Sequence, residues 1–284
     1  MFEKQLIHRN FNLRNTLGYE INGDIRYLST LIEKPVIIVC HSFMAFKDWG
    51  FFPYVSRMFA EAGYVSVIFN FSLNGVVGNE NRITDFDNFR KNTFSQELDD
   101  LQSVIDYVWE GQIGQDVIDR SKIILLGHSR GGGIALLQAS RDDRIKALIS
   151  WSTISTFDRW TKHQKEEWRE LGYLPLGKDT DVSPLKLGID LLNDVELNRD
   201  KLDLIKAAAS IKIPWLIIHG KADIIVPYSE AEDLYQASNH SLTDLNLLDK
   251  VGHLYNAASQ DEDNYETLKK IVNLTLNWLK LKIK

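Results

Sequence analysis

The segment that most constrains this chain is Gly127-His128-Ser129-Arg130-Gly131, because of what stands on either side of it. Residues 122–126 (KIILL) are a short continuous apolar run of strand character, and the run GGIALLQAS that follows is helical in pattern. A G-x-S-x-G pentapeptide alone is short; between a strand and a helix it describes a sharp turn with an exposed hydroxyl. A serine in that turn takes a strained backbone conformation, and the glycines two positions away on each side let neighbouring backbone approach without a clash. The turn lifts the serine Oγ above the sheet edge and aims the N-terminus of the next helix at it. That helix end favours negative charge developing on an attacked carbonyl. The bland alternative is a glycine-rich turn with an incidental serine.

The rest of the chain repeats the rhythm of strand and helix. Apolar, β-branched runs stand at residues 36–40 (VIIVC), 65–69 (VSVIF), 145–149 (IKALI) and 215–218 (WLII), with a weaker one at 244–248. Helical stretches fall near 54–62, 95–109 and 263–280. Continuous apolar strands alternating with helices predict an α/β fold with a mostly parallel central sheet flanked by helices. Residues 5–13 and 25–32 read as an antiparallel hairpin at the sheet edge. With no internal repeat and no Pro/Gly/Ser linker, residues 1–284 read as a single domain. One stretch breaks the rhythm: 151–210 has no strand signal and carries Trp151, Trp160 and Trp168, with Tyr173 and Pro175 behind them. It is too long for an ordinary connection and reads as a helical cap inserted over the C-terminal edge of the sheet, or as a surface excursion with no substrate role.

A serine hydroxyl needs a base, and the base needs an orienting carboxylate. Asp223 lies just after the WLII strand, and His253 lies between the weak strand and the last helix. Each of Ser129, Asp223 and His253 thus comes from a loop after a strand, in the order Ser, Asp, His, so topology predicts their convergence. Singly, Asp223 could be a helix cap before Pro227, and His253 a solvent-exposed loop residue. Donors to an oxyanion are expected from the backbone N–H of Arg130, next to the serine, and of Phe43, after the first core strand. The Arg130 side chain is not needed for that role; it could contact a substrate carboxylate or make a structural salt bridge.

Composition excludes several partners. The net charge of −6 and a pI near 5.7 argue against nucleic-acid or anionic-membrane binding, which need a basic face. No apolar run approaches the roughly 20 residues of a membrane span. The start MFEKQLIHRNFNL has no apolar core of a signal peptide, and a lone cysteine, Cys40, rules out an internal disulfide. Both suit a cytoplasmic location. His41, His128 and His219 all end strands at one edge and can be drawn as metal ligands, but no H-x-H or H-x-x-x-H spacing joins them. No metal or other cofactor is expected. Cys40 ends a buried-looking strand and is a poor nucleophile there.

Four blocks carry a family resemblance: CHSF at 40–43 with DWGFFP at 48–53, GHSRGG at 127–132, HGKADIIVP at 219–227 and VGHLYN at 251–256. With them the chain resembles the α/β-hydrolase superfamily, in its dienelactone-hydrolase-like and bacterial carboxylesterase branch, from about residue 35 onward. The resemblance implies the α/β-hydrolase fold and a serine hydrolase with Ser129, Asp223 and His253 as catalytic triad. The implied substrate is a small carboxylic ester with a short-chain acyl or aryl group, bound by a monomer or homodimer. A serine argues against dehalogenases, which use an aspartate there. The chain departs from the family at Ser42, where relatives usually have glycine. His41, Ser42, Trp151 and Trp160 are the candidates for a substrate pocket. Two alternatives stand beside the esterase: a serine peptidase related to the prolyl-oligopeptidase catalytic domain, lacking its N-terminal propeller here, and a non-catalytic binding protein on the same fold.

Overall fold

The continuous apolar runs become the middle of one eight-stranded sheet. The structure is a computed structural model and describes residues 5–29, 32–78, 80–177, 185–257 and 262–283. Its first two strands, β1 (Leu6–Arg14) and β2 (Glu20–Leu28), form the expected antiparallel hairpin. Asn15 closes the turn by accepting the N–H groups of Leu17 and Tyr19 on its side-chain oxygen. β2 begins earlier than expected, and residues 30 and 31 of that expected strand lie outside the described residues. Next come β3 (Lys34–Cys40), α1 (Phe52–Glu61), β4 (Val65–Phe69), α2 (Phe86–Lys91), α3 (Phe94–Trp109), β5 (Ile118–His128) and α4 (Arg130–Ala139). β6 (Ile145–Trp151), β9 (Trp215–Gly220), α8 (Ser229–Ala237), β10 (Thr243–Leu248) and α9 (Glu266–Lys282) complete the body.

The strand order is β1-β2-β4-β3-β5-β6-β9-β10. From β4 through β10 every pairing is parallel; β2 pairs antiparallel on both sides, so it alone runs against the rest. A parallel sheet needs both faces covered, and successive residues of its strands divide between two cores accordingly. Val36, Ile38 and Cys40 of β3, with Ile123 and Leu125 of β5, face the core shared with α3, α4 and α8. Ile37, Val39, Ile124 and Leu126 face the core beneath α1 and α9. This two-residue period also decides where the last residue of each strand points.

Between β6 and β9 lie α5 (Lys162–Leu171), β7 (Tyr173–Pro175), β8 (Lys186–Gly188), α6 (Ile189–Leu197) and α7 (Leu204–Ser210). The helices expected in this segment are present, but its expected lack of strands is corrected here: β7 and β8 pair as a short antiparallel ribbon. Three residues per strand, with Pro175 and Gly188 at their ends, are too few to show a strand period in sequence. α5 starts on a capping box, in which Thr161 and Gln164 satisfy each other's backbone N–H, and it stops at Gly172 in the left-handed conformation. Residues 178–184 of the expected cap lie outside the described residues. No helix among the described residues is long and apolar enough to cross a membrane.

Candidate active site

Ser129 sits between β5 and α4 with φ 55° and ψ −122°, a backbone conformation that side chains rarely adopt. The surroundings hold it there. Its N–H donates to the Trp151 carbonyl of β6 at 2.8 Å, and its own carbonyl accepts the Gly132 N–H at 3.0 Å. The flanking glycines are needed for close approach: a Cβ on Gly131 would lie 2.2 Å from the His41 carbonyl oxygen, and one on Gly127 would lie 2.4 Å from the Gly131 oxygen. α4 therefore packs its first turn directly against the end of β3, with the Arg130 N–H among the unpaired donors of that turn.

Asp223 and His253 meet. His253 Nδ1 lies 2.7 Å from Asp223 Oδ2, while Asp223 Oδ1 accepts the N–H groups of Ile225 and Val226, each at 2.9 Å. His219 Nε2 is 3.2 Å from Asp223 Oδ2 and donates to the Val226 carbonyl at 2.9 Å. Burial by itself raises the Asp223 carboxyl, but the hydrogen bonds from His219, His253 and the Val226 N–H outweigh it and hold it well below the usual range. An ionised Asp223 keeps the proton on Nδ1 and leaves Nε2 of His253 with its lone pair free. Ser129 and His253 line the same cavity of about 380 Å³.

Of the four expected pocket residues, two line that cavity and two do not. Ser42 and Trp160 are on its wall. Trp151 is not: it ends β6 on the α1 and α9 side of the sheet, fully buried, with its ring edge-on to Tyr255 at 5.6 Å. Its place follows from the strand period, which sets it on the same face as Ala147 and Ile149. His41 is not on the wall either, because both its ring nitrogens are engaged. Nε2 accepts the Phe71 N–H at 3.2 Å, so the proton is on Nδ1, which donates to the Ser42 carbonyl at 2.9 Å. Burial, aided by the nearby Arg130 charge, lowers His41 to about 4 against the pull of that carbonyl. Since the peptide is planar and trans, anchoring the Ser42 carbonyl on His41 turns the Phe43 N–H the opposite way. Phe43 itself is on the cavity wall. Cys40 is buried, and burial pushes its thiol far up.

Two neighbours of the site take roles that were not read from sequence. His128 points to the α1 side, fully buried, and its Nε2 donates to the His253 carbonyl at 2.9 Å. Its ring lies 4.8 Å from that of His253. Burial, then the charge that His253 can carry, lowers it to about 3. It shares a sheet face with Ile124 and Leu126, so the two-residue period held its direction in plain view. Glu97 is the second. Its Oε2 accepts from Arg130 Nε at 3.0 Å, and Arg130 Nη2 lies 2.8 Å from Oε1. In α3 it shares the buried face with Phe94 and Leu101, and a carboxylate on an apolar helix face was the available signal. The Arg130 side chain thus makes a structural ion pair, with its guanidinium 4.3 Å from the centre of the Phe94 ring and 5.0 Å from that of Phe43.

The remaining wall is apolar and comes largely from the segment between β6 and β9. Ile154, Phe157, Leu176 and Leu187 join Trp160 there, while Trp49, Ile225 and Leu254 stand on the loops of the body. Arg159 also reaches the wall, and its Nη1 lies 2.7 Å from Glu230 Oε2.

A parallel sheet with a strained serine between strand and helix, and a carboxylate–histidine pair on the two loops beyond it, defines an α/β hydrolase. Within that class, residues 49–282 match the Prolyl oligopeptidase family, and the chain belongs to it. The superfamily expected from the sequence blocks is the one found, and the matching family is the one that stood second there. Among solved structures, the chain is similar to the α/β hydrolase GrgF from Penicillium sp. sh18, with TM-score 0.73, 17% identity, and 98% and 99% of the two chains covered. It is also similar to Est1E from Butyrivibrio proteoclasticus, with TM-score 0.68, 20% identity, and 96% and 98% covered. At such identities the likeness speaks for the fold. A curated relative from Escherichia coli, "Uncharacterized 31.7 kDa protein in traX-finO intergenic region", is 23% identical over 240 residues, covering 72% of this chain and 78% of the relative.

Proposed function

We propose that this hydrolase cleaves carboxylic esters with short-chain or aryl acyl groups through a covalent acyl-enzyme on Ser129. The observation that carries the reading is the 2.7 Å pair of Asp223 and His253 opening on the cavity that the strained Ser129 also lines. In this reading His253 Nε2 takes the Ser129 proton as Oγ bonds to the ester carbonyl carbon. The backbone N–H groups of Arg130 and Phe43 hold the oxyanion that forms. His253 then returns the proton to the alkoxy oxygen as its bond to the carbonyl carbon breaks. In the second half, His253 deprotonates water, whose oxygen attacks the acyl carbon, and returns that proton to Ser129 Oγ as its bond to the acyl carbon breaks. His128 acts as a positioning residue, tying the His253 backbone to the strand that carries the nucleophile. The segment between β6 and β9 serves as the cap that shapes the acyl site.

The test is a Ser129→Ala variant assayed on p-nitrophenyl esters, with a fluorophosphonate probe applied to both proteins. Ester turnover should fall by at least about 10³-fold while the protein stays folded, and the probe should label Ser129 in the wild type alone. Undiminished turnover in a folded variant would overturn the reading.

Family membership favours a second reading, a serine peptidase acting by the same acyl-enzyme chemistry. Peptide p-nitroanilides run beside the esters separate the two, and a faster wild-type rate on the anilides would favour the peptidase. A wild type inert to both panels would favour a binding protein instead.

A further inference from the structure

Two arginines line the cavity, Arg130 beside the nucleophile and Arg159 on the segment between β6 and β9. A free guanidinium in an acyl site would recruit an acidic acyl group, because its fork matches a carboxylate. Neither is free. Glu230 sits 2.7 Å from Arg159 and also accepts the Ser155 N–H at 2.7 Å. Arg130 donates to Glu97 through Nε and places Nη2 2.8 Å from the other carboxylate oxygen, and its guanidinium lies over the rings of Phe43 and Phe94. Glu97 is in turn held by the Asn92 amide at 2.8 Å. A substrate carboxylate arriving here would lose its water and meet a cation already neutralised, with the Glu97 charge close behind it. Most other side chains on the cavity wall are apolar, among them Phe94, Ile154, Phe157, Leu176 and Leu187.

We propose that the site selects uncharged, apolar acyl groups and rejects acidic ones, and that Glu97 is the specificity-determining residue because it occupies Arg130. This rests on the ester-cleaving reading above. Glu97 touches no reacting atom; it acts through the guanidinium beside the nucleophile.

The experiment compares two esters of one leaving group and similar acyl length, p-nitrophenyl pentanoate and mono-p-nitrophenyl glutarate. The readout is the ratio of kcat/KM for the glutarate to that for the pentanoate. The wild type should prefer the pentanoate. In Glu97→Gln the ratio should rise about ten- to a hundredfold, the worth of one charge-assisted hydrogen bond to the released guanidinium. The Glu97→Gln, Arg130→Met double variant should return the ratio toward that of the wild type. Glu97→Asp, which keeps the charge but draws the carboxylate back by one methylene, should give a smaller rise in the same direction. It decides the matter if Glu97→Gln does not fold. A wild type that favours the glutarate, or an unmoved ratio in folded Glu97→Gln or Glu97→Asp, overturns the proposal while leaving ester cleavage intact. A wild type inert to both esters, and unlabelled by the fluorophosphonate, overturns the ester reading and this proposal with it.

Discussion

The two walls of the cavity are built differently. On the body side, every residue of α4 is buried, and its first turn is locked between β3 and β6. On the other side, α5 buries only Trp168 and meets its neighbours through surface ion pairs such as Arg169 with Glu196. Exposed pairs of that kind contribute little. Where backbone must hold a strained serine, packing over-determines it; where only an apolar wall is needed, a few large side chains suffice. The contrast teaches that the two walls of one cavity are held by different amounts of structure. In the proposed reading, chemistry belongs to the rigid sheet edge, and selection is shared between Glu97 beneath that edge and the lightly packed segment over it.

If that division is right, acid should act first on the body. His41 and His128 are lowered to about 4 and about 3, against 6.5 for an unperturbed histidine. Below that pH the unfolded chain binds protons that the folded one does not, so stability falls as pH drops from about 6.5 toward 4. Asp100, raised by burial from 3.8 to about 6, works in the opposite sense across that window, and so does Glu97, which burial also raises. Each imidazole alone should cost about 3 kcal/mol between about pH 6.5 and about 4, and the two carboxyls offset part of that sum. Proton NMR that finds either imidazole titrating near the unperturbed value of about 6.5 in the folded protein would show that it is not buried as a neutral group.

A smaller effect should come from Gly131→Ala, whose new Cβ meets the His41 carbonyl at 2.2 Å. Backbone on both sides of that contact has nowhere to move, so stability should drop by about 2–3 kcal/mol. Ester turnover should drop with it, because the Arg130 and Ser42–Phe43 backbones are displaced together. A variant with wild-type melting temperature and kcat would mean that the elbow is looser than drawn. The smallest effect belongs to the other wall. Trp160 is half-buried, edge-on to Trp168 at 5.0 Å. Trp160→Ala should cost about 1 kcal/mol of stability and raise KM several-fold, leaving kcat within about threefold. A large fall in kcat with KM unchanged would move this wall into the chemistry and erase the contrast.

The elements that reached the page from sequence did so for a reason that can be named. VIIVC, VSVIF, KIILL and WLII are apolar on both faces, and only a covered parallel strand uses such a run, so β3, β4, β5 and β9 fell where expected. β7 and β8 were missed because a three-residue ribbon has no period to read. Trp151 and His41 were placed near the cavity by their position in the chain, while pleat and hydrogen bonding turned both away from it. His128 was visible as a motif residue, and its partner, the His253 carbonyl, lies 125 residues away.

By itself the sequence determined the order of strands and helices, the sharp turn at Ser129, and the sheet edge to which Asp223 and His253 belong. Those depend on local pattern and on loops that follow strands, and both are written along the chain. Only the tertiary structure decided which face each strand-ending side chain takes, that Glu97 neutralises Arg130 across 33 residues, and which side chains wall the cavity. Such pairings are settled by which surfaces meet and by which charges must be matched once water is excluded, and distance along the chain carries no record of either.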